Sequence, residues 1–329
     1  MTHTPAQRLL LWPLVPVYRL GLTMRELQLR SGLKPVRRLK WPVVSIGNLS
    51  TGGSGKTPLT IALAKALTGR GLHVDVLSRG YGRQRSPLPL LVDPGGTPQD
   101  FGDEPIEIAR RAGVPVYVAA ERYRAGLLAE SDRSAPSASS VHLLDDGFQH
   151  RQLVRDLDIL LLSRSDLRDH LLPAGSLREP LRAAERAQVI AIPADEPEVE
   201  AEIKARGWQA QVWRLRRRME IPHFDGPALA FCGIARPAQF FEGLASAGVN
   251  LLVRTAFPDH HRYTAGDLER LSWQARAARA TTVLTTEKDR VRLGALTTSL
   301  PIQTVPLRIE IEDEKAAIDW LMHSLRDPA

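Results

Sequence analysis

The chain has a single cysteine, Cys232, in 329 residues. That excludes an internal disulfide framework and any CxxC metal site, and it suits a reducing compartment. A long apolar run is also missing. The best candidate, residues 9–22, is interrupted by Pro13, Pro16 and Arg19 and falls short of the roughly twenty residues that a spanning helix needs. It lacks a small-residue cleavage site, so it does not read as a secretory leader. Acidic residues are scarce at one end only. Residues 1–40 hold Arg8, Arg19, Arg25, Arg30, Lys34, Arg37, Arg38 and Lys40 against one acid, Glu26, a net +7 that equals the charge of the whole chain. The other residues are balanced. A nucleic-acid binder carries basic groups across a folded face, so no nucleic-acid partner is expected. Internal repeats and long low-complexity runs are absent too.

What is present starts with a phosphate-binding signature. Val43-Val44-Ser45-Ile46-Gly47-Asn48 is a short apolar strand, Leu49–Gly55 a glycine-rich turn, and Lys56-Thr57-Pro58 opens a helix running to about Arg70. Strand, glycine-rich loop, Lys-Thr and helix in that order form a phosphate loop. Thr51, Gly52, Gly53, Ser54 and Gly55 would turn backbone N–H groups toward polyphosphate, and Lys56 would reach the β- and γ-phosphates. Thr57 would place its hydroxyl on Mg²⁺. Pro58 sits where a missing N–H costs little. The usual pattern has glycine where Ser50 stands, and Gly52 and Gly53 are expected to supply the flexibility.

Hydrophobic residues at 43% and charged residues at 25% describe an ordinary globular chain, long enough for two lobes. Strands and helices alternate. The second strand, His73–Ser78, runs into Arg79-Gly80-Tyr81-Gly82-Arg83, a loop suited to an anionic, sugar-bearing substrate. Gly102-Asp103-Glu104-Pro105 opens a helix, and Asp103 reads equally as an N-cap or as a catalytic acid. Residues 131–140 read as a surface loop. Val141-His142-Leu143-Leu144-Asp145-Asp146 is an apolar strand ending in acid, the feature that holds Mg²⁺ in phosphate-loop enzymes. Arg178-Glu179 precedes a further helix. Phe257-Pro258-Asp259-His260-His261-Arg262-Tyr263 puts two histidines and an acid in one loop, suited to tuning an acid rather than to binding metal. Thr285-Thr286-Glu287-Lys288-Asp289 fits helix capping or adenine-side contacts. The residues alone leave two enzyme-or-switch readings open, a kinase for a small hydroxyl substrate and an NTP-driven membrane-associated switch. For the N-terminal segment, a helix lying in the membrane interface with Trp12 and Tyr18 at headgroup depth competes with a helix packed on the protein's own core; the basic flank favours the first.

In order, these motifs make the chain resemble the tetraacyldisaccharide 4′-kinases, the lipid A 4′-kinases of Gram-negative bacteria. The matching residues are Gly47-Asn48-Leu49-Ser50, Gly53-Ser54-Gly55-Lys56-Thr57-Pro58, Ser78-Arg79-Gly80-Tyr81-Gly82-Arg83, Gly102–Pro105, Asp145-Asp146-Gly147-Phe148-Gln149-His150, Asp259-His260-His261 and Thr285–Asp289. The substituted first glycine is normal for that family. The resemblance implies ATP- and Mg²⁺-dependent phosphorylation of the 4′-hydroxyl of a lipid A disaccharide precursor, at the cytoplasmic face of the inner membrane. It implies a phosphate-loop NTPase-type parallel sheet with a second, smaller α/β lobe joined by a β-ribbon hinge. The expected division is 1–40 for the membrane segment, 41–165 for the kinase core, 166–310 for the second lobe and 311–329 for a helix returning to the core. Asp103 is the implied base, helped by His261 or His260. Thr57 and Asp145, with Glu179, are expected on the metal. Asn48, Arg79, Tyr81, Arg83, Asp146 and Arg178 are expected on the disaccharide.

Overall fold

Strand β1 (Val43–Asn48) is buried at all six residues, so it must lie inside a sheet covered on both faces. A computed structural model describes residues 10–84, 88–132, 140–296 and 301–326 and places it there. Arg8, Leu9 and most of the expected 131–140 loop lie outside the described residues. In chain order the strands are β2 (His73–Ser78), β3 (Leu90–Leu91), β4 (Val116–Val118), β5 (Ser140–Asp145), β6 (Leu157–Leu161), β7 (Val189–Pro193), β8 (Gln211–Met219), β9 (Ala228–Cys232), β10 (Leu251–Ala256), β11 (Thr282–Thr286), β12 (Ile302–Val305) and β13 (Leu307–Ile311).

The larger sheet has the order β13-β8-β7-β6-β1-β5-β2-β4-β3. Its body from β8 to β4 is parallel, while β3 pairs antiparallel with β4, and β13 with β8. In this register Ile46 of β1 faces Asp145 of β5, which brings the phosphate loop and the acid pair to one sheet edge. Ligands bind at the carboxyl ends of such sheets. The Lys56–Gly69 helix seats Leu59, Leu63 and Leu67 against Val44, Ile46 and Ile106 in the main core. A fully buried leucine contributes about 1.5–3 kcal/mol of hydrophobic stabilisation. The C-terminal helix, Glu314–Arg326, adds Ala317, Ile318 and Leu321 to that same core.

The second sheet, β10-β9-β11-β12, is parallel throughout. The expected boundary at residue 165 is corrected by strand pairing. β7 and β8 extend the first sheet, so the first lobe continues to Met219 and recovers the chain at Leu307. The chain enters the second lobe after β8 and returns through β13, and these two strands form an antiparallel ribbon from Leu307↔Met219 to Ile311↔Leu215.

The N-terminal helix, Val15–Arg30, buries none of its residues. Val17, Leu20, Met24 and Leu27 recur at helical spacing, and each is more than half exposed. The opposite side is docked. Tyr18 Oη donates to the Arg178 carbonyl at 2.9 Å, Arg25 donates to the Gln149 carbonyl, and Glu26 pairs with Arg151. No described helix is long and apolar enough to cross a membrane.

Candidate active site

The phosphate loop leaves β1 and is braced from the side. Arg178 N–H donates to the Leu49 carbonyl (2.7 Å) and Thr51 N–H to the Ser176 carbonyl (2.8 Å). Gly55, at φ +96°, occupies the left-handed region that side chains with a Cβ rarely adopt, and it caps the Lys56–Gly69 helix. Among the described residues no acceptor takes the N–H groups of Gly52, Gly53, Ser54 or Gly55. Unused donors at a helix N-terminus form an anion site. Ser54 also touches the ribbon, where Arg217 Nη2 donates to its carbonyl at 2.8 Å.

Lys56 Nζ donates to Asn48 Oδ1 at 2.9 Å and lies 3.5 Å from Asp146 Oδ1. Arg178 forks onto Asp146 at 2.9 and 3.0 Å and onto Asn48 Oδ1 at 2.5 Å. Asp146 adopts φ +49°, a strained backbone that aspartate tolerates better than most residues and that turns it away from the path of Asp145. Burial opposes its ionisation, but Lys56 and Arg178 hold its carboxyl well below the usual range. Asn48 is fully buried with both side-chain ends engaged and holds Lys56 and Arg178 together.

Asp145 has a different environment. It is buried, and among the described residues its hydrogen bonds are two long ones, from the Thr60 and Ser78 hydroxyls at 3.4 Å each. Burial, then Glu104 and Asp146, raise its pKa well above the ordinary carboxylate value. A buried acid crowded by acids calls for a cation. Thr57, also buried, sits at the start of the helix behind it. Among the described residues no group of three or more His, Cys, Asp or Glu side chains forms a metal cluster. Two protein ligands suffice for Mg²⁺, which keeps waters and takes phosphate oxygens. Glu179, expected beside them, is engaged elsewhere: Arg186 Nη2 donates to its Oε2 at 2.7 Å and lies over the Phe148 ring.

Asp103 reaches the site from another direction. Gly102, at φ +90°, packs so closely on the Gly80–Tyr81 backbone that a Cβ would lie 2.8 Å from the Tyr81 carbonyl oxygen. That contact sets Asp103 as the first residue of the helix Asp103–Ala112. Its Oδ2 lies 3.1 Å from His260 Nδ1 and 2.7 Å from Arg292 Nε. Burial opposes charge on Asp103, but His260, Arg292 and Lys288 outweigh it and hold the carboxyl well below the usual range. The hydrogen bond to Asp103 raises His260 in turn. His261 turns away: its Nε2 pairs with Asp267 at 3.1 Å and its ring stacks on Phe257. Of the two histidines expected at Asp103, the geometry selects His260, whose φ of +57° swings it out of the loop.

The Arg79–Arg83 loop divides. Arg79 is exposed, and Tyr81 is exposed with its ring 5.4 Å from that of His260. Arg83 donates to the carbonyls of Val118 and Leu88, which braces the loop. Thr286 caps its helix, accepting from Asp289 N–H, as its motif suggested. Sequence reasoning set Lys288 in a capping motif without its pairing to Glu104, and it missed Arg292. It also missed Arg122, a buried guanidinium whose pKa is lowered to about 10 by burial and by Arg79. The helical spacing of Lys288 and Arg292 was the available signal.

Comparison with known proteins settles the family. A family profile described as Tetraacyldisaccharide-1-P 4′-kinase matches residues 7–326. The chain belongs to the tetraacyldisaccharide 4′-kinase family. A relative of that name from Koribacter versatilis is 42% identical, covering 94% of this chain and 97% of its own. One from Polaromonas naphthalenivorans is 36% identical over 96% and 91%. The crystal structure of LpxK from Aquifex aeolicus in complex with ATP superposes with a TM-score of 0.76 at 31% identity, covering 97% of this chain and 99% of that one. The two structures thus share one fold over nearly their whole length.

Proposed function

We infer that the protein is an ATP-dependent kinase that phosphorylates the 4′-hydroxyl of tetraacyldisaccharide 1-phosphate in lipid A biosynthesis. The observation that carries this reading is the pairing of an open phosphate loop with a separate buried carboxylate, Asp103, fixed from the second lobe. An NTP-driven switch needs the loop but not a dedicated base for an acceptor.

The loop N–H groups and Lys56 bind and neutralise the β- and γ-phosphates. Thr57 and Asp145 would hold Mg²⁺, which would offset the charge developing on the phosphate oxygens. Asp103 accepts the hydroxyl proton as the oxygen attacks the γ-phosphorus, and His260 orients that carboxylate. Arg79 and Tyr81, exposed at the same edge, meet the anionic sugar. The outward stripe Val17-Leu20-Met24-Leu27 lies in the lipid surface at the cytoplasmic face of the inner membrane, with the flanking basic residues on anionic headgroups. The docked face of that helix ties it to Gln149 and Arg178, so membrane binding and the site form one unit.

The test is transfer from γ-labelled ATP with Mg²⁺ to tetraacyldisaccharide 1-phosphate in detergent micelles. Label in the lipid is the expected result. Label released only as free phosphate, with the lipid unmodified, would overturn the reading in favour of a switch.

A further inference from the structure

Arg292 lies in the last turn of the Glu287–Leu293 helix, outside every motif in the sequence, and its side chain is buried. It is gripped from behind. Nη1 donates to the Gly233 carbonyl at 2.5 Å and to Asp289 Oδ1 at 3.1 Å. Asp289 is itself fixed, accepting from Gly233 N–H, Tyr263 Oη and Thr286 Oγ1. In front, Arg292 Nε and Nη2 both meet Asp103 Oδ2, the oxygen that also faces His260. Among the described residues Asp103 Oδ1 takes only the N–H of Glu104, at 3.0 Å, and retains a lone pair. The two carboxylate oxygens therefore differ: one is saturated by cations, the other is open.

We propose that Arg292 is a positioning residue for the transfer reaction: it pins Asp103 through Oδ2 and leaves Oδ1 as the atom that accepts the hydroxyl proton. This rests on Asp103 being the base. In the step, the acceptor O–H bond breaks as its oxygen bonds to the γ-phosphorus, and the proton passes to Oδ1. The bond from that phosphorus to the β,γ-bridging oxygen breaks, and its electron pair leaves with ADP. Arg292 touches none of the reacting atoms. It acts by holding one rotamer and by keeping the carboxylate ionised, alongside Lys288 of its own helix and His260. Glu104 and Asp259 are the neighbouring acids, and Lys288 is paired with Glu104. A guanidinium suits this task because its planar fork fixes direction as well as charge.

A purely structural role is the competing account, since Glu104–Lys288 and Arg111–Glu287 pair the same two helices. The two are separated by R292M and R292K in the full chain, assayed for kcat, for KM of ATP and for the pH dependence of kcat, with and without added guanidinium. R292M is expected to lose about 10²-fold in kcat, with KM for ATP unchanged. Its acid limb moves upward in pH, and guanidinium restores part of the rate. R292K loses less. A wild-type kcat and acid limb in R292M would overturn the proposal. So would equal damage to kcat and KM for ATP with no shift of the acid limb and no rescue. Should R292M fail to fold, wild-type kcat and acid limb in R292K overturn it equally. D103N separates the two readings: surviving transfer in D103N sinks the base itself, whereas an inactive D103N beside an unaffected R292M sinks only the role of Arg292.

Discussion

Strand β5 carries two buried ionisable groups, and they are built on opposite principles. Near its amino end, His142 is closed in by fixed partners. Its Nδ1 lies 2.7 Å from Asp75 Oδ1, Glu130 lies 3.6 Å from its Nε2, and Trp41 stacks on the ring at 5.0 Å. Burial opposes its charge, but the hydrogen bond with Asp75 and the nearby Glu130 carboxylate prevail and push its pKa up to about 9. At the carboxyl end, Asp145 has two long hydroxyl contacts and no ion pair among the described residues, and burial with Glu104 and Asp146 outweighs Lys56 and Lys288 in raising its pKa. One cluster supplies its own counter-charges and holds the fold together. The other makes no direct ion pair among the described residues and is therefore suited to receive a cation. Burial of a titratable group does not by itself mark a site; the missing partner does.

The comparison breaks most visibly at Asp145. Asp145→Asn should lower phosphate transfer about 10³-fold, while the melting temperature without Mg²⁺ holds or rises, because an unpaired buried carboxylate has gone. A fall in both would erase the contrast. His142→Gln should do the reverse, costing about 3 kcal/mol of stability by denaturant titration and sparing kcat at permissive temperature.

A pH series sharpens the same point. His142 has a folded pKa raised above its unfolded value, so its stabilisation is complete below about 6.5 and is lost as pH rises through about 9. Wild-type stability should decline from pH 7 to 9.5 by more than that of His142→Gln; identical slopes would refute the assignment. The smallest expected effect concerns the outer stripe. Leu20→Glu with Leu27→Glu should raise the apparent KM for lipid in anionic vesicles about tenfold, with KM for ATP unchanged.

Much of this was legible in the chain. Val43–Asn48 and His73–Ser78 stand as strands at the residues the sequence marked. The phosphate loop and Asp145 were visible because their chemistry demands local spacing. β8 was hidden because its inward residues, Trp213 and Leu215, alternate with four arginines. The lobe boundary was misplaced because β7 resembles the opening of a new α/β unit, and strand pairing is a long-range fact. His260 and His261 could not be told apart because a positive φ decides which one leaves the loop. Arg292 was missed because its partner, Asp103, lies 189 residues away in sequence.

The most direct test is single-turnover transfer by Asp103→Asn, with the ATP dissociation constant measured on the same preparation. Transfer should fall by about 10²–10⁴-fold while ATP binding holds. Transfer at the wild-type rate, or loss of transfer and ATP binding in equal measure, would contradict the account.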